Sequence, residues 1–354
     1  MPLLAVTEVG SILTMRQGAF AVLRGTALLR TVPVHEIDEV QLHGAVELTA
    51  AARAFVLDRG IDTVFLSSDG RYRGRLVGDE SSHGERRAAQ YRWLAAPEST
   101  LTLARTLVSG KLRNQRTLLQ RFDRGGDDLA LGASVAALRH LTVRLDKAPT
   151  LDVVRGLEGQ AAALYFRGFA AGLKNPAFTF RSRTRRPPRD PVNACLSYGY
   201  AVLLARCDSA VRAVGLDPGL GALHDAGRGK PSLALDLMEE LRPVVVDRVV
   251  LRLINRRQLS QGDFRNPSLD EADASAPETG APEAPTADAS PPVYLADNGR
   301  RILLGELALT WRSRLVDPAR GSQHTIEDIL VSQARQLAAL FEGRAERYQP
   351  FLLT

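Results

Sequence analysis

The pattern of the chain changes once, near residue 80, and this change constrains the fold more than any other feature. Before it, short β-rich runs are separated by glycine turns, which is typical of strands. The runs cover residues 11–15, 20–23, 27–32, 38–42 and 61–66, and one helix at 49–58 interrupts them. After it, apolar residues recur at helical spacing. The sequence therefore predicts an α+β chain, with a small strand-rich domain at residues 1–80 and a larger all-α domain at 91–354.

Further residues predict the hinge between the two domains and the limits of the helices. A polar stretch predicts a hinge at residues 81–90, and the domain before it is expected to be a scaffold or a dimerisation unit. Ser232 is predicted to cap a helix, because its hydroxyl can accept amide hydrogens of the first turn. Pro243 is predicted to kink that helix or to start a new one that runs to about Leu259. The helices are placed at residues 94–119, 129–145, 152–173, 191–214 and 232–259, and from 300 to the C-terminus.

Residues 266–292 differ in composition from everything around them. They contain six prolines and six acidic residues, and no basic residue. Such a segment buries too little apolar surface to order itself, so we expect an insert that is disordered. The chain has a formal net charge of +6 and the insert contributes six negative charges, so the rest carries +12. A body this basic indicates an anionic partner.

Arginine supplies nearly all of this positive charge, since the chain has only four lysines. A GC-rich genome would produce the same bias, although the guanidinium fork also suits phosphate. The only cysteines, Cys195 and Cys207, have no CxxC spacing. They fit a reducing cytoplasm and argue against a disulfide framework or a zinc module. No signal peptide or membrane span is expected.

Glu158 interrupts an apolar helical face that includes Val154, Leu157 and Ala161. A carboxylate on such a face needs a cation, a metal or a hydrogen-bond donor. A salt bridge to an arginine would satisfy it equally well, and the sequence does not decide between the two. The flanking Gly156 and Gly159 are unfavourable inside a helix, so they predict a close approach to the backbone.

His224 lies in a glycine-rich loop, residues 219–230, together with Arg228 and Lys230. These cations favour a phosphate nearby, whereas a lone loop histidine is also often solvated or bonded to backbone. The loop is not a nucleotide P-loop, because Lys230 is followed by Pro231.

Asp236, Glu239 and Glu240 fall on one arc of the following helix. Acids near a helix start also complement its dipole, but this explanation is weaker for Glu239, which lies deeper in the helix. Two carboxylates and an imidazole are ligands suited to Mg²⁺ or Mn²⁺ with open positions for water.

An arginine run occupies residues 181–189, and its prolines predict an extended segment whose side chains fan out. Such a run is either solvated surface or a contact for backbone phosphates. No Ser-His-Asp order and no reactive cysteine setting supports covalent catalysis by the protein itself.

Four sequence motifs follow one another between residues 156 and 243. They are GLEGQAA at 156–162, RPPRDPVNA with LSYGY at 186–200, GLDP leading to LH at 215–224, and SLALDLMEELRP at 232–243. Together they closely resemble the CRISPR-associated integrase family, the metal-dependent DNA nuclease-integrases of spacer acquisition. The resemblance covers essentially the whole chain except the acidic insert.

The resemblance implies an N-terminal domain that dimerises and a helical domain that binds the metal. In the family's pattern the metal-binding and catalytic residues fall at Glu158, His224 and Glu239, with Asp236 and Glu240 as possible supporting acids. The ion would be Mg²⁺ or Mn²⁺. Expected contacts with DNA are Arg181, Arg183, Arg185, Arg186, Arg228, Lys230 and Tyr165.

The implied function is to join the 3′-hydroxyl ends of captured DNA into a CRISPR repeat, in a prokaryotic cytoplasm. The implied partners are double-stranded DNA, a second copy of the chain and a small ferredoxin-like adaptation subunit. A branched-DNA metallonuclease of repair and a non-catalytic DNA-binding assembly factor are the alternatives.

Overall fold

The structure is a computed structural model that describes residues 3–78, 83–123, 128–185, 187–227, 229–266, 291–317 and 321–354. The chain divides into two units, Met1–Gly84 and Glu85–Thr354. Strands dominate the first unit and helices the second, so the predicted α+β class is confirmed.

Strands β1 to β8 and helix α1 form the described part of the N-terminal unit. The bounds are β1 Leu3–Val6, β2 Ser11–Arg16, β3 Ala19–Arg24, β4 Ala27–Pro33, β5 Glu39–His43, β6 Glu47–Leu48, α1 Ala50–Asp58, β7 Asp62–Leu66 and β8 Tyr72–Leu76, with a 3₁₀ turn at Val34–Glu36. One sheet has the order β4-β3-β2-β6 and the other β1-β5-β7-β8. Strands β1, β5 and β7 are parallel, whereas β2 and β3 form an antiparallel hairpin.

Strand alternation gives this unit its own core. Side chains two residues apart share a face, so Val40 and Leu42 of β5 point inward together. Phe20 packs edge-on against Phe55 of α1, with ring centroids 5.8 Å apart. Thr49 caps α1 by accepting the amide hydrogen of Ala52.

Helices build the C-terminal unit. Their bounds are α2 Gly84–Leu94, α3 Pro97–Phe122, α4 Leu129–Leu145, α5 Leu151–Ala171, α6 Pro191–Ala213, α7 Ser232–Met238, α8 Arg248–Asn255, α9 Asp297–Arg312 and α10 Ile326–Phe341. A π-helical segment, Arg242–Asp247, precedes α8, and a 3₁₀ turn covers Gln261–Asp263. Helix α2 begins inside the predicted hinge of residues 81–90, of which 81 and 82 lie outside the described residues.

The prediction that this domain is all-α is wrong in two places. Strand β9, Phe264–Arg265, pairs with β10, Tyr294–Leu295, and β11, Arg314–Asp317, pairs with β12, Ser322–Thr325. These strands have two to four residues, too few to show alternation in the sequence. The first pairing brings together the two ends of the insert predicted at 266–292, of which 267–290 lie outside the described residues.

Side-chain caps define the helices that carry the candidate site. The Thr150 hydroxyl caps α5, and the Asp190 carboxylate caps α6 by accepting the amide hydrogen of Asn193 at 2.8 Å. The predicted cap at Ser232 is wrong, because Ser232 is already the first helical residue and its hydroxyl donates to the carbonyl of Asp225. Among the described residues, none of the helices is both long and apolar enough to cross a membrane.

Candidate metal centre

Glu158 and Glu239 come together on a single cation, the ammonium of Lys111 from α3. Glu158, on α5, forms an ion pair with this group through Oε1. Glu239 Oε2 lies 2.7 Å from the same nitrogen. His224 Nε2 faces the other oxygen of Glu239, Oε1, at 3.8 Å. Three segments far apart in sequence therefore place two carboxylates, an imidazole and a buried ammonium side by side.

A helix break aims Glu239 at this point. Pro243 has no amide hydrogen, and its ring excludes the carbonyl four residues earlier, which belongs to Glu239. Helix α7 accordingly ends at Met238, and the chain continues through a tight turn into the π-helical segment. Such irregularities within helices are frequent at functional sites. The α-helical pattern is therefore interrupted before Pro243, and the helix resumes as α8 after the π-helical segment.

Asp236 holds the loop that carries His224. Its Oδ2 accepts the amide hydrogens of Ala222 and Leu223 at 2.5 and 3.0 Å. Its Oδ1 accepts the amide of His224 at 3.1 Å and lies 2.7 Å from the ring nitrogen Nδ1. An ionised carboxylate only accepts, so Nδ1 carries a proton, and Nε2 is the ring nitrogen that lies toward Glu239. Asp236 thus fixes both the backbone and the tautomer of His224.

Close packing of this loop explains one of its glycines. A Cβ on Gly221 would lie 2.5 Å from Asp236 Oδ2 and 2.8 Å from the backbone of Ser232. Any side chain at residue 221 would push the loop away from Asp236.

Arg155 ties the same loop to the helix of Glu158. Its guanidinium donates to the Leu223 carbonyl at 2.9 Å and pairs with Asp225 at 2.5 Å. These two residues flank His224, and Arg155 lies one turn before Glu158 on α5. The side chain therefore links two of the three predicted ligands.

The charges around Glu239 keep it ionised. Burial raises the pKa of Glu239, but Arg242, Lys111 and His224 outweigh burial and lower it to about 2. Arg242 Nη2 lies 3.1 Å from Glu239 Oε1. Lys111 shows the complementary balance, since burial lowers its pKa and the carboxylates of Glu239 and Glu158 more than restore it.

Glu240 does not belong to this group. The sequence placed it on one arc with Asp236 and Glu239, but the break after Met238 turns it away. Its Oε1 accepts from Gln333 and Tyr348 at 2.8 and 2.9 Å in the core. Burial there raises the pKa of Glu240 to about 8. A supporting role beside the candidate ligands is therefore wrong for Glu240, whereas Asp236 has the position that such a role requires.

The donor set fits a hard divalent cation, although Lys111 now bridges its acids. Among the described residues, no three His, Cys, Asp or Glu side chains are arranged to hold a metal as they stand. Glu239 Oε2 is nonetheless buried and lies 2.7 Å from the Lys111 ammonium, which marks where positive charge is stable. An imidazole held through Nδ1 by a carboxylate is the usual support of a metal-binding histidine. Glu158, His224 and Glu239 thus remain the predicted ligands.

The residues predicted to contact DNA fall into three groups. Arg181, Arg185 and Lys230 are exposed, and Arg186 and Arg228 lie outside the described residues. Arg183 does not fan outward as predicted, because its guanidinium donates to Asn193 and Ser197 at 2.8 and 3.0 Å.

Tyr165 is wrong as a DNA contact. Its side chain is fully buried, and its hydroxyl donates to Asp247 at 2.7 Å. At Gly156 and Gly159, no described atom outside the chain neighbours and the backbone of their own helix lies within 4 Å of a Cβ built on either one, so the approach predicted there is not made by another part of the described chain. Their surface on α5 is open, and it adjoins Glu158.

Comparison with known proteins decides the family. Residues 4–271 match the family described as CRISPR associated protein Cas1. The chain belongs to the Cas1 family. A Thermus thermophilus relative named CRISPR-associated endonuclease Cas1 1 is 37% identical over 99% of both chains. A Moorella thermoacetica relative with the same name is 34% identical over 91% of this chain and 89% of its own length. The resemblance read from the four sequence blocks is therefore confirmed.

Solved structures agree with this membership at the level of the fold. A Cas1 protein from Thermotoga maritima superimposes with a TM-score of 0.78 at 21% identity and covers 97% of each chain. A casposase bound to an integration product gives a TM-score of 0.80 at 21% identity, over 99% of this chain and 93% of the casposase.

Lys111 and Arg242 are the site residues that the sequence reasoning missed. Lys111 stands on the apolar stripe of α3 with Leu107 and Leu112, all three buried. A charged residue at such a position needs partners, and two unpaired acids had been found elsewhere in the chain. A lysine on an apolar helical stripe, together with acids on other helices that need a cation, would have indicated this ion pair. Arg242 was visible within the last Cas1 block, and its pairing with Glu239 has the spacing of neighbours on a helix, three residues apart.

Asp247, beside the site, predicts a pH dependence of stability. Burial raises its pKa to about 6, against hydrogen bonds from the hydroxyls of Tyr200 and Tyr165 that lower it. The folded protein then binds a proton that the unfolded chain releases from an ordinary carboxyl, so the stabilisation present at pH 4 is lost as the pH rises through 6. Relative to Asp247→Asn, we expect the free energy of unfolding to fall by about 2.5 kcal/mol between pH 4 and 7. Urea unfolding of both proteins measures this difference, and parallel curves would contradict it.

Proposed function

We propose that this Cas1 protein is a metal-dependent DNA integrase and endonuclease of CRISPR adaptation, which joins the 3′-hydroxyl ends of captured DNA into the repeat array by transesterification. One observation carries the proposal. Glu158 and Glu239 share one cation beside the Nε2 face of His224, whose other ring nitrogen Asp236 holds. Relatives named CRISPR-associated endonuclease support the same activity.

Each side chain has a defined task in this reaction. Glu158, His224 and Glu239 would hold Mg²⁺ or Mn²⁺, and Asp236 keeps the imidazole in the tautomer that offers Nε2. A bound divalent ion would stabilise the charge that develops on the attacking and leaving oxygens of the phosphodiester. The nucleophile is a DNA hydroxyl, which agrees with both cysteines being buried, with pKa values raised mainly by burial. Arg242 remains on Glu239 and keeps that carboxylate ionised.

Exposed cations provide the contacts with DNA. Arg181, Arg185 and Lys230 would bind backbone phosphates, so affinity should not depend on sequence and should fall steeply with salt. We propose double-stranded DNA, a second copy of the chain bound through the strand-rich unit, and a small ferredoxin-like adaptation subunit as the partners.

A joining assay tests the proposal. The protein and its small partner are incubated with Mn²⁺, a 3′-hydroxyl duplex and a supercoiled plasmid that carries the repeat. We expect a covalently joined product, and no product with a matched duplex that ends in a dideoxynucleotide. Glu158→Gln should remove the joined product while leaving DNA binding in place.

Two other results would overturn the proposal in different ways. Nicked plasmid without joined product would assign the site to a branched-DNA nuclease. Activities that survive Glu158→Ala and His224→Ala, together with DNA binding lost in the double variant Arg181→Ala, Arg185→Ala, would leave a non-catalytic assembly factor.

A further inference from the structure

A small cationic pocket adjoins the Glu158–Glu239 pair. It lies between α3, α5, α6 and the π-helical segment, and its polar lining consists of Lys111, Gln115, Arg183, Arg185, Tyr200 and Arg242. The pocket has about 20 Å³ of space. This is room for one group the size of a water molecule, such as an ammonium or a phosphate oxygen.

The charges of this pocket are held in place by the protein. Tyr200 lies between two guanidiniums, with Arg242 Cζ 4.6 Å and Arg183 Cζ 5.4 Å from its ring centroid. The Tyr200 hydroxyl donates to Asp247 at 2.5 Å, which fixes the ring. Burial lowers the pKa of Arg183 to about 10, and the neighbouring Arg185 and Arg242 contribute to this shift. A pocket with this lining attracts anions.

Lys111 takes part in both the Glu158–Glu239 pair and the cationic pocket. Its ammonium now bridges the two carboxylates, while its side chain also lines the pocket. A divalent ion that binds Glu158 and Glu239 must displace this ammonium, because two cations cannot share the same carboxylate oxygens. The displaced group has the pocket beside it, where three guanidiniums would repel it unless an anion were present.

We propose that Lys111 is an internal counter-cation that exchanges between the Glu158–Glu239 pair and the cationic pocket. In the metal-free protein it neutralises the two acids. When a divalent ion binds, the ammonium of Lys111 turns into the pocket and fills it, and from there it binds a phosphate oxygen at the opening of the pocket. Metal and phosphate therefore bind cooperatively, each favouring the same position of Lys111. This inference rests on the proposed function, since it assumes that the two acids bind the metal.

Measurement of Mn²⁺ affinity by electron paramagnetic resonance tests the coupling, with sulfate as the phosphate analogue. Sulfate replaces chloride at constant ionic strength. In the wild-type protein, sulfate should tighten Mn²⁺ binding by roughly fivefold or more, within the range of typical coupling between sites. In Lys111→Met, we expect Mn²⁺ to bind about tenfold more tightly without sulfate, because the competing ammonium is gone. Sulfate should then change the affinity by less than about twofold.

Thermal unfolding supplies a second measurement on the same proteins. In a chelator, Lys111→Met should unfold at a lower temperature than wild type, because two neighbouring acids lose their shared cation. Mn²⁺ should raise the unfolding temperature of the variant more than that of wild type. Lys147→Met is the matched control, since Lys147 is exposed just after α4 and should leave both measurements unchanged.

The outcomes separate this inference from the proposed function. If Glu158→Gln and Glu239→Gln both retain full Mn²⁺ affinity, Mn²⁺ does not bind at these two acids and the metal site of the proposed function is wrong. If they lose Mn²⁺ while sulfate has no effect on the wild type, only the exchange of Lys111 is wrong. A Mn²⁺ affinity of Lys111→Met that equals that of the wild type, or is weaker, would also overturn the exchange of Lys111. The sulfate measurement uses the wild-type protein, so it tests the exchange even if this variant does not fold.

Discussion

Replacing Glu239 with glutamine is expected to abolish Mn²⁺ binding and to slow integration by roughly 1,000-fold or more, the scale seen when a central catalytic group is removed. Glu239 is the central acid of the site, because Lys111, Arg242 and His224 all face it. Glutamine keeps the size of the side chain but removes the charge. The metal would lose a ligand, and two buried cations would lose a shared partner.

The structure offers a control one residue away. Glu240 is also a buried acid, yet it contacts Gln333 and Tyr348 in the core. Glu240→Gln keeps an oxygen that accepts from these donors, so Mn²⁺ affinity and the rate of joining should stay within about twofold of wild type. Calorimetric titration with Mn²⁺ and the joining assay compare the two variants. Similar losses in both would mean that the turn after α7 fails as a unit and that Glu239 has no special role.

Sequence reasoning succeeded where a pattern is local. Alternation and glycine turns predicted the strands β2 to β5, and helical spacing predicted α4 and α5 to within one or two residues. The caps Thr49 and Thr150 agree with the same local rules. Strands β9 to β12 were missed because so few residues show no period, and their stability comes from pairing across the chain.

At the candidate site, too, the sequence predicts local features but not the contacts between distant residues. The family pattern placed the ligands at Glu158, His224 and Glu239, and the apolar helical face around Glu158 supported its assignment. The partner Lys111 is 47 residues from Glu158 in the chain, and nothing local to either residue predicts their ion pair. Tyr165 was among the residues expected to contact DNA. Burial beside Asp247 decides otherwise, and burial depends on the packing of α5 against the π-helical segment.

Asp236→Asn is expected to be the most destabilising of the conservative substitutions in this site, by about 3–5 kcal/mol. The carboxylate is fully buried and accepts from three amides and from the His224 ring. An asparagine has one acceptor oxygen, and its amide nitrogen would face N–H donors that it cannot satisfy. The unfolding temperature should fall by roughly 10 °C for a protein of this size.

Metal affinity tells this effect apart from a general loss of stability. Without Asp236 the imidazole loses the acceptor that selects its tautomer, so Mn²⁺ should bind about 10- to 100-fold more weakly at temperatures where the variant is folded. Asp225→Asn is the control, because Asp225 is exposed on the same loop and pairs with Arg155 at the surface. It should lower stability by less than about 1 kcal/mol. A variant Asp236→Asn that melts like wild type and binds Mn²⁺ normally would show that the loop of His224 holds its shape without this carboxylate, and that the imidazole is not oriented by Asp236.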